Sequence, residues 1–261
     1  MPSKFIYPPH WPFVEGRSAT DSVACYRPHT HPTLSVGIVD AGESRLTLGG
    51  ETIVLRPKDV VVINPHEVHA CNPRPGFRWA YRMLYFDPAW AGVVLPHRWR
   101  TPLTHPRAPR LFEEMMDLVC APRQSVRDER GLHRLLRTML RLAEMPPRQN
   151  PARADALLEV RNSLAENCAA TLPLDRLAKQ ARLSPYAFLR KFKQRFGLTP
   201  HAFQLDQRIV RARAAVSRGR PAADVAQELG FSDQSHLVRT FKARVAATPG
   251  QVARTRARCR R

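Results

Sequence analysis

The last third of this chain writes one pattern twice, and that duplication constrains the fold more than any other feature. Leu177 and Ala178 match Val225 and Ala226 at an offset of 48, and Leu183 matches Phe231 at the same offset. Past a turn the offset becomes 49: Phe188, Arg190, Phe192, Lys193 and Arg195 match Leu237, Arg239, Phe241, Lys242 and Arg244, and Thr199-Pro200 matches Thr248-Pro249. One supersecondary unit has been used twice, with a single residue inserted at the second turn.

Each copy predicts a helix, a tight turn and a second helix. Leu174, Leu177, Ala178 and Ala181 fall at i, i+3, i+4 and i+7, and Phe188, Phe192 and Phe196 continue an apolar face at a spacing of four. Ser184-Pro185 offers an N-cap and a first helical residue. In the second copy Val225, Ala226 and Leu229 form the stripe, Gly230 the turn, Ser232 or Asp233 the cap, and Leu237 and Phe241 the inner face. Two helices so joined can seat the second in a DNA major groove; the plainer alternative is a pair of hairpins in an ordinary all-α domain. Charge separates the two. Residues 172–261 carry 20 Lys/Arg against 5 Asp/Glu, which is +15 of the whole chain's +20. A solvated helical domain has no use for that balance, whereas a phosphate backbone rewards it.

The run Gly230-Phe231-Ser232-Asp233-Gln234-Ser235-His236-Leu237, then Arg239, Phe241-Lys242 and Thr248-Pro249-Gly250, resembles the signature of the AraC/XylS family of bacterial transcription regulators. The first copy, with Leu183-Ser184-Pro185, Arg190, Phe192-Lys193, Phe196-Gly197 and Thr199-Pro200, is similar to that family's first helix-turn-helix. The chain departs from the family at Val245-Ala246, where Phe-Gly is usual, and at Val252, where an aromatic is usual. The resemblance implies a regulator that binds double-stranded DNA, responds to a small-molecule effector, contacts RNA polymerase as an activator and forms, in some members, a homodimer.

Helical geometry assigns roles within the repeats. Counting from the inward Phe188 and Phe192, the first reading helix presents Tyr186, Leu189 and Arg190. The second presents Gln234, Ser235, His236, Val238 and Arg239, and position matching to the family points to the same residues. Arg190 and Arg239 suit guanine O6 and N7, Gln234 suits adenine, and Leu189 suits a thymine methyl. Lys191, Lys193, Lys242 and Arg244 are expected on phosphates, where they set register without reading bases. Pro200 to Ser217 predicts one continuous connector helix with Phe203, Ile209, Ala212 and Val216 inward and Arg208 as a structural arginine. A rod of that kind holds the two reading helices at a fixed separation.

Upstream, residues 20–90 change to the two-residue period of strands. Leu34, Val36 and Ile38 alternate with Ser35 and Gly37, Gly49-Gly50 marks a hairpin, and Val60 to Ile63 and Phe77 to Phe86 read as further strands. Short strands so closely spaced predict a jelly-roll sandwich or barrel. His29-x-His31, Gly42-Glu43, Gly49, Asn64-Pro65, Glu67 and His69 resemble the cupin-like sensor domain of the same family. The resemblance implies a ligand pocket at His31, Glu67 and His69, and His29 joins them as a fourth candidate. A metal cupin adds a Glu four or five residues after the His pair, and Ser35-Val36 stand there instead. No metal or other cofactor is therefore expected, and no catalytic residue.

Two stripes follow the strands: Leu111, Met115, Leu118 and Val119, then Leu132, Leu135, Leu136, Met139 and Leu140. Either both pack on the barrel or one forms a subunit contact. Met145-Pro146-Pro147-Arg148-Gln149-Asn150-Pro151 is too proline-rich for helix and too polar for core. The expected architecture is α+β in two domains: a cupin-like sensor domain over 1–145 with a helical segment at about 107–145, a linker at 146–153, and an all-α double helix-turn-helix domain over 154–261. Five dispersed cysteines without a CxxC pair, no secretory signal and no apolar run of membrane length predict a cytoplasmic protein with no membrane partner. The alternatives are a cupin-type metal enzyme carrying a DNA-binding module, or a ligand-independent regulator whose barrel serves only protein contacts.

Overall fold

A computed structural model describes residues 4–93, 99–145 and 156–258. The expected linker at 146–153 lies outside the described residues. The N-terminal half contains two antiparallel sheets. Strands β1 (Lys4–Ile6), β2 (Val14–Ser22), β3 (Leu34–Ala41), β6 (Val60–Ile63) and β8 (Trp79–Phe86) form one sheet in the order β1-β2-β8-β3-β6. Strands β4 (Ser44–Leu48), β5 (Glu51–Leu55) and β7 (His69–Pro73) form the other in the order β5-β4-β7. The β4–β5 hairpin turns at Gly49-Gly50, both at positive φ, which glycine adopts without steric cost. Leu46 and Leu55 from the small sheet meet Val39, Val61, Ile63, Trp79 and Tyr81 from the large one, giving the two-layer packing of a jelly roll.

Strand β2 begins six residues before the expected β register, because Val14–Ser22 carries Glu15, Arg17 and Asp21 where a sandwich strand ordinarily carries apolar residues. It nevertheless runs between β1 and β8. The outer face of the large sheet is covered by α2 (Ala108–Cys120) and α3 (Val126–Ala143), behind the short α1 (Pro88–Ala91). Phe112, Met115, Leu132, Leu136 and Met139 fill that layer against Val36, Val62, Leu84 and Phe86. Both apolar stripes thus pack on the sandwich, with Leu118 and Leu135 left half-buried at their edges.

The C-terminal half is helical: α4 (Ala156–Glu166), α5 (Leu174–Gln180), α6 (Pro185–Phe196), α7 (Pro200–Ser217), α8 (Ala222–Glu228), α9 (Gln234–Val245) and α10 (Pro249–Arg258). The repeats are α5–α6 and α8–α9, and α7 is the connector. Ser184 and Asp233 cap α6 and α9, accepting from the backbone N–H of Ala187 and His236. The connector is shared by two cores. Phe203 packs with Phe188 and Phe192 in the first unit, while Ile209, Ala212 and Val216 pack with Leu237 and Phe241 in the second. At 18 residues it is a rod of about 27 Å.

Arg208 braces the rod to both units. Its guanidinium donates to the carbonyls of Cys168 (2.6 Å) and Ala169 (3.2 Å), ahead of α5, and to that of Gly230 in the second turn. The expected structural arginine is therefore one. Ala246, which stands where the family usually has glycine, closes α9 in the left-handed region at φ +50. A side chain there is strained by about 1 kcal/mol. Ala246→Gly is expected to raise stability by up to that amount, read as a higher urea midpoint at unchanged slope.

Candidate DNA-reading face and effector cavity

The reading helices place their arginines as helical geometry predicts. With Phe188, Phe192, Leu237 and Phe241 fully buried, the opposite faces expose Arg190 and Arg239, together with Gln234 and Ser235. Tyr186 is 77% exposed at the start of α6, far outside the range of a core aromatic. Neither Arg190 nor Arg239 is in an ion pair among the described residues, so both guanidinium forks are available for bidentate contacts. Lys191, Lys193 and Lys242 are exposed beside them, and Leu189 and Val238 are half-buried at the edge of the face.

Two sequence assignments change. Arg244 is buried, with its Nε 3.8 Å from the carboxylate of Asp206, so it is not a phosphate contact. Burial lowers its pKa and the Asp206 charge opposes that shift. His236 is turned back on its own turn, its ring edge-on to Phe231 and its Nδ1 3.1 Å from the Ser232 hydroxyl. It therefore shapes the start of α9 and is only half-exposed.

The roomy space is not inside the sandwich. Trp79, Tyr81, Met83 and Leu55 fill the interior and leave about 50 Å³. A cavity of about 670 Å³ lies instead at the sandwich mouth, closed by the connector α7. His29, His31, Arg17 and Tyr85 line it from one half, and Asp206, Val210 and Arg213 from the other. Glu67, expected in the pocket, is outside this lining: its carboxylate accepts from the backbone N–H and side-chain amide of Asn64 and so ties the turn before β7.

His29, His31 and His69 do converge, with ring centroids 4.5 to 6.2 Å apart. Each places Nδ1 against a backbone carbonyl: His29 on Arg27, His31 on Thr33, His69 on Glu67. A carbonyl only accepts, so Nδ1 carries the proton in every ring; Nε2 of His31 then accepts from the Ser35 hydroxyl at 3.2 Å, and Nε2 of His29 and His69 is left as an acceptor. Burial pushes all three pKa values below the ordinary histidine range, His69 to about 4, and the neighbouring His69 adds to the effect at His29 and His31. The rings are neutral at physiological pH. No carboxylate joins them, and among the described residues no group of His, Cys, Asp and Glu is arranged to hold a metal. The donor set suits hydrogen bonding to a ligand. Cys71, at the small interior space, is pushed up to about 12 by burial and stays an unreactive thiol.

The residues that sequence reasoning missed join the halves. Thr30, between the two mouth histidines, donates from its backbone N–H (3.2 and 3.1 Å) and its hydroxyl (2.6 Å) to the carboxylate of Asp206 on α7. Gln207 donates to the Thr30 hydroxyl at 3.2 Å, and Arg27 N–H to the Ala243 carbonyl on α9 at 3.0 Å. Arg213 is paired with Glu15, and Phe5 packs in the core of the second repeat. Arg17, Tyr26 and Tyr81 form a further buried chain running from the cavity into the sandwich interior. One signal was available: Asp206 is the single carboxylate in an 18-residue basic helix.

Comparison with known proteins places these features in a lineage. Residues 12–183 match the AraC-like ligand binding domain, and residues 177–255 match a helix-turn-helix domain. The arabinose operon regulatory protein of Salmonella typhimurium is 28% identical over 228 residues, covering 80% of this chain and 79% of its own. The HTH-type transcriptional regulator YbfI of Bacillus subtilis is 26% identical over 225 residues, covering 80% of each. ToxT of Vibrio cholerae O395 shares the fold at a TM-score of 0.60 and 9% identity, over 97% of both chains.

Proposed function

The chain belongs to the AraC family of DNA-binding transcription regulators, and from that premise we propose that it reads its operator with Arg190 on α6 and Arg239 and Gln234 on α9. Tyr186, Leu189, Ser235 and Val238 complete the reading faces, and Lys191, Lys193 and Lys242 hold phosphates. The observation that carries this is the exposure of two unpaired arginines at matching positions of two repeats braced by one rod. Its relatives are transcriptional regulators, and the protein acts by binding rather than catalysis. Among the described residues no helix is long and apolar enough to cross a membrane. We place its work in the cytoplasm, as an activator in contact with RNA polymerase.

The effector is a small molecule held in the mouth cavity by His29 and His31 on one side and by α7 on the other. Because both halves line the cavity, effector binding and docking of the halves are thermodynamically linked. A ligand that fits only the docked arrangement stabilises it, and one that needs more room opens it.

Arg239→Ala is expected to cost about 1–3 kcal/mol on the cognate site and to relax preference at one base pair. Lys193→Ala is expected to weaken all sequences alike and to reduce the salt slope by about one. Binding titrations of both variants on cognate and scrambled duplexes separate these outcomes; equal binding of Arg239→Ala and wild type to the cognate duplex would refute the assignment.

A further inference from the structure

A strongly charged face of the sensor half remains outside this account. Helix α3 carries Arg127, Arg130, Arg134, Arg137 and Arg141, spaced three, four, three and four residues apart, and all five are exposed. That spacing keeps them within about a quarter of the helix circumference and along about 21 Å of its length. The stripe lies opposite the face that buries Leu132, Leu136, Met139, Leu140 and Ala143. No carboxylate pairs with any of the five among the described residues. The two acids at the start of the helix are engaged elsewhere. Asp128 closes the capping box with Ser125, and Glu129 accepts from Trp90 Nε1 at 3.0 Å. Arg107, just ahead of α2, lines the same groove as Arg134 and widens the positive surface, while Arg110 in that groove is neutralised by Glu114 at 2.8 Å.

An exposed helix face that serves only solubility mixes both signs of charge. This one is uniform and consists of arginine, whose planar fork matches phosphate oxygens. The chemistry that fits is a polyanion. A protein partner needs an aromatic or aliphatic anchor at the centre of its contact, and the exposed aliphatic beside the stripe, Val126, lies at its N-terminal end and not at its centre. Like charges in register also oppose pairing of α3 with a second copy of itself. We infer that the arginine face of α3 is a second DNA-binding surface, which holds the phosphate backbone of duplex flanking the site read by the two repeats.

The test uses the full chain and the triple variant Arg130→Gln, Arg134→Gln, Arg137→Gln, whose positions are exposed and whose unchanged melting temperature and circular dichroism verify folding. Affinities for random-sequence duplexes of about 20 and about 60 base pairs are measured across a KCl series. The shorter duplex spans the two grooves that the repeats occupy, roughly 34 Å apart, and reports those units alone. On the longer duplex the variant is expected to lose about tenfold or more in affinity, with its salt slope shallower by about three, near 0.9 per lost contact. On the shorter one it should match wild type. Identical slopes on the longer duplex overturn the inference. So does an equal loss on both lengths, which marks bulk charge without docking. Normal DNA binding with lost transcription in the presence of RNA polymerase assigns the stripe to an acidic protein instead. Failure of the wild type on the shorter duplex would count against the repeats, and the inference falls with them.

Discussion

Asp206→Ala is expected to release the sensor half from the connector helix at a cost of about 3–5 kcal/mol, the range for removing one partner of a buried ion pair. The carboxylate is only 1% exposed and takes three hydrogen bonds from Thr30 while facing Arg244. Its loss strands a buried guanidinium, a backbone N–H and a hydroxyl together. Calorimetry is expected to show one transition for the wild type and two for the variant, and limited proteolysis to open the segment around residues 27–31 in the variant. An unchanged melting profile would mean that Phe5, the Arg213–Glu15 pair and the Arg27–Ala243 hydrogen bond hold the halves without Asp206.

The same carboxylate carries a pH signature. Burial pushes it up to about 6, against the opposing pull of the Thr30 hydrogen bonds and Arg244. An acid whose folded pKa lies above its unfolded value near 4 binds an extra proton in the native state between those limits. Its contribution is therefore greatest below about pH 4 and declines as the pH rises to about 6. The three clustered histidines act oppositely. Their folded pKa values lie below the ordinary 6.5, so the stability they contribute is present above pH 6.5 and is lost as the pH falls toward 4. Comparing wild type with Asp206→Asn cancels the histidine part. The stability difference, wild type minus variant, is expected to grow as the pH is lowered from about 6 to about 4.

Gly230→Ala is expected to disable two-groove binding and to cost about 2–4 kcal/mol, combining left-handed strain with overpacking. Gly230 sits at φ +72, and an added Cβ would run into the carbonyl oxygen of Ala169 and crowd the Arg208 guanidinium. Those are the groups through which the connector grips both repeats, so relief by movement changes the spacing of the reading helices. Arg208→Ala should weaken DNA binding through the same route without touching DNA. Denaturant titration and binding to the cognate duplex test both variants. Normal affinity in the two together would show that the 27 Å rod alone (about 1.5 Å per residue over α7) sets the geometry.

The helices, their caps and their inward faces were legible because each depends on residues within a turn or two of one another. Phe188, Phe192, Leu237 and Phe241 could occupy no other face once the helices formed, and that alone turned Arg190 and Arg239 outward. The sandwich was legible as alternation except at β2, whose polar residues are satisfied by partners outside the strand: Glu15 by the distant Arg213, and Arg17 by Tyr26 past the strand's end. The mouth cavity was misplaced for the same reason, since half of its wall belongs to the other domain.

Arg195 and Arg244 make the division plain. They occupy the same position of the repeat, and the repeat by itself assigns them one role; Arg195 is exposed, while Arg244 is 6% exposed against Asp206. Local sequence determined the two helix-turn-helix units, the rod between them and the direction of their reading faces, because short-range periodicity and capping suffice for that. Which copy would be clamped to the sensor half, and which arginine would leave the solvent to do it, was decided only in the tertiary structure. Desolvating a guanidinium is tolerable only where a partner from elsewhere in the chain is brought to meet it, and for Arg244 that partner is the Asp206 carboxylate.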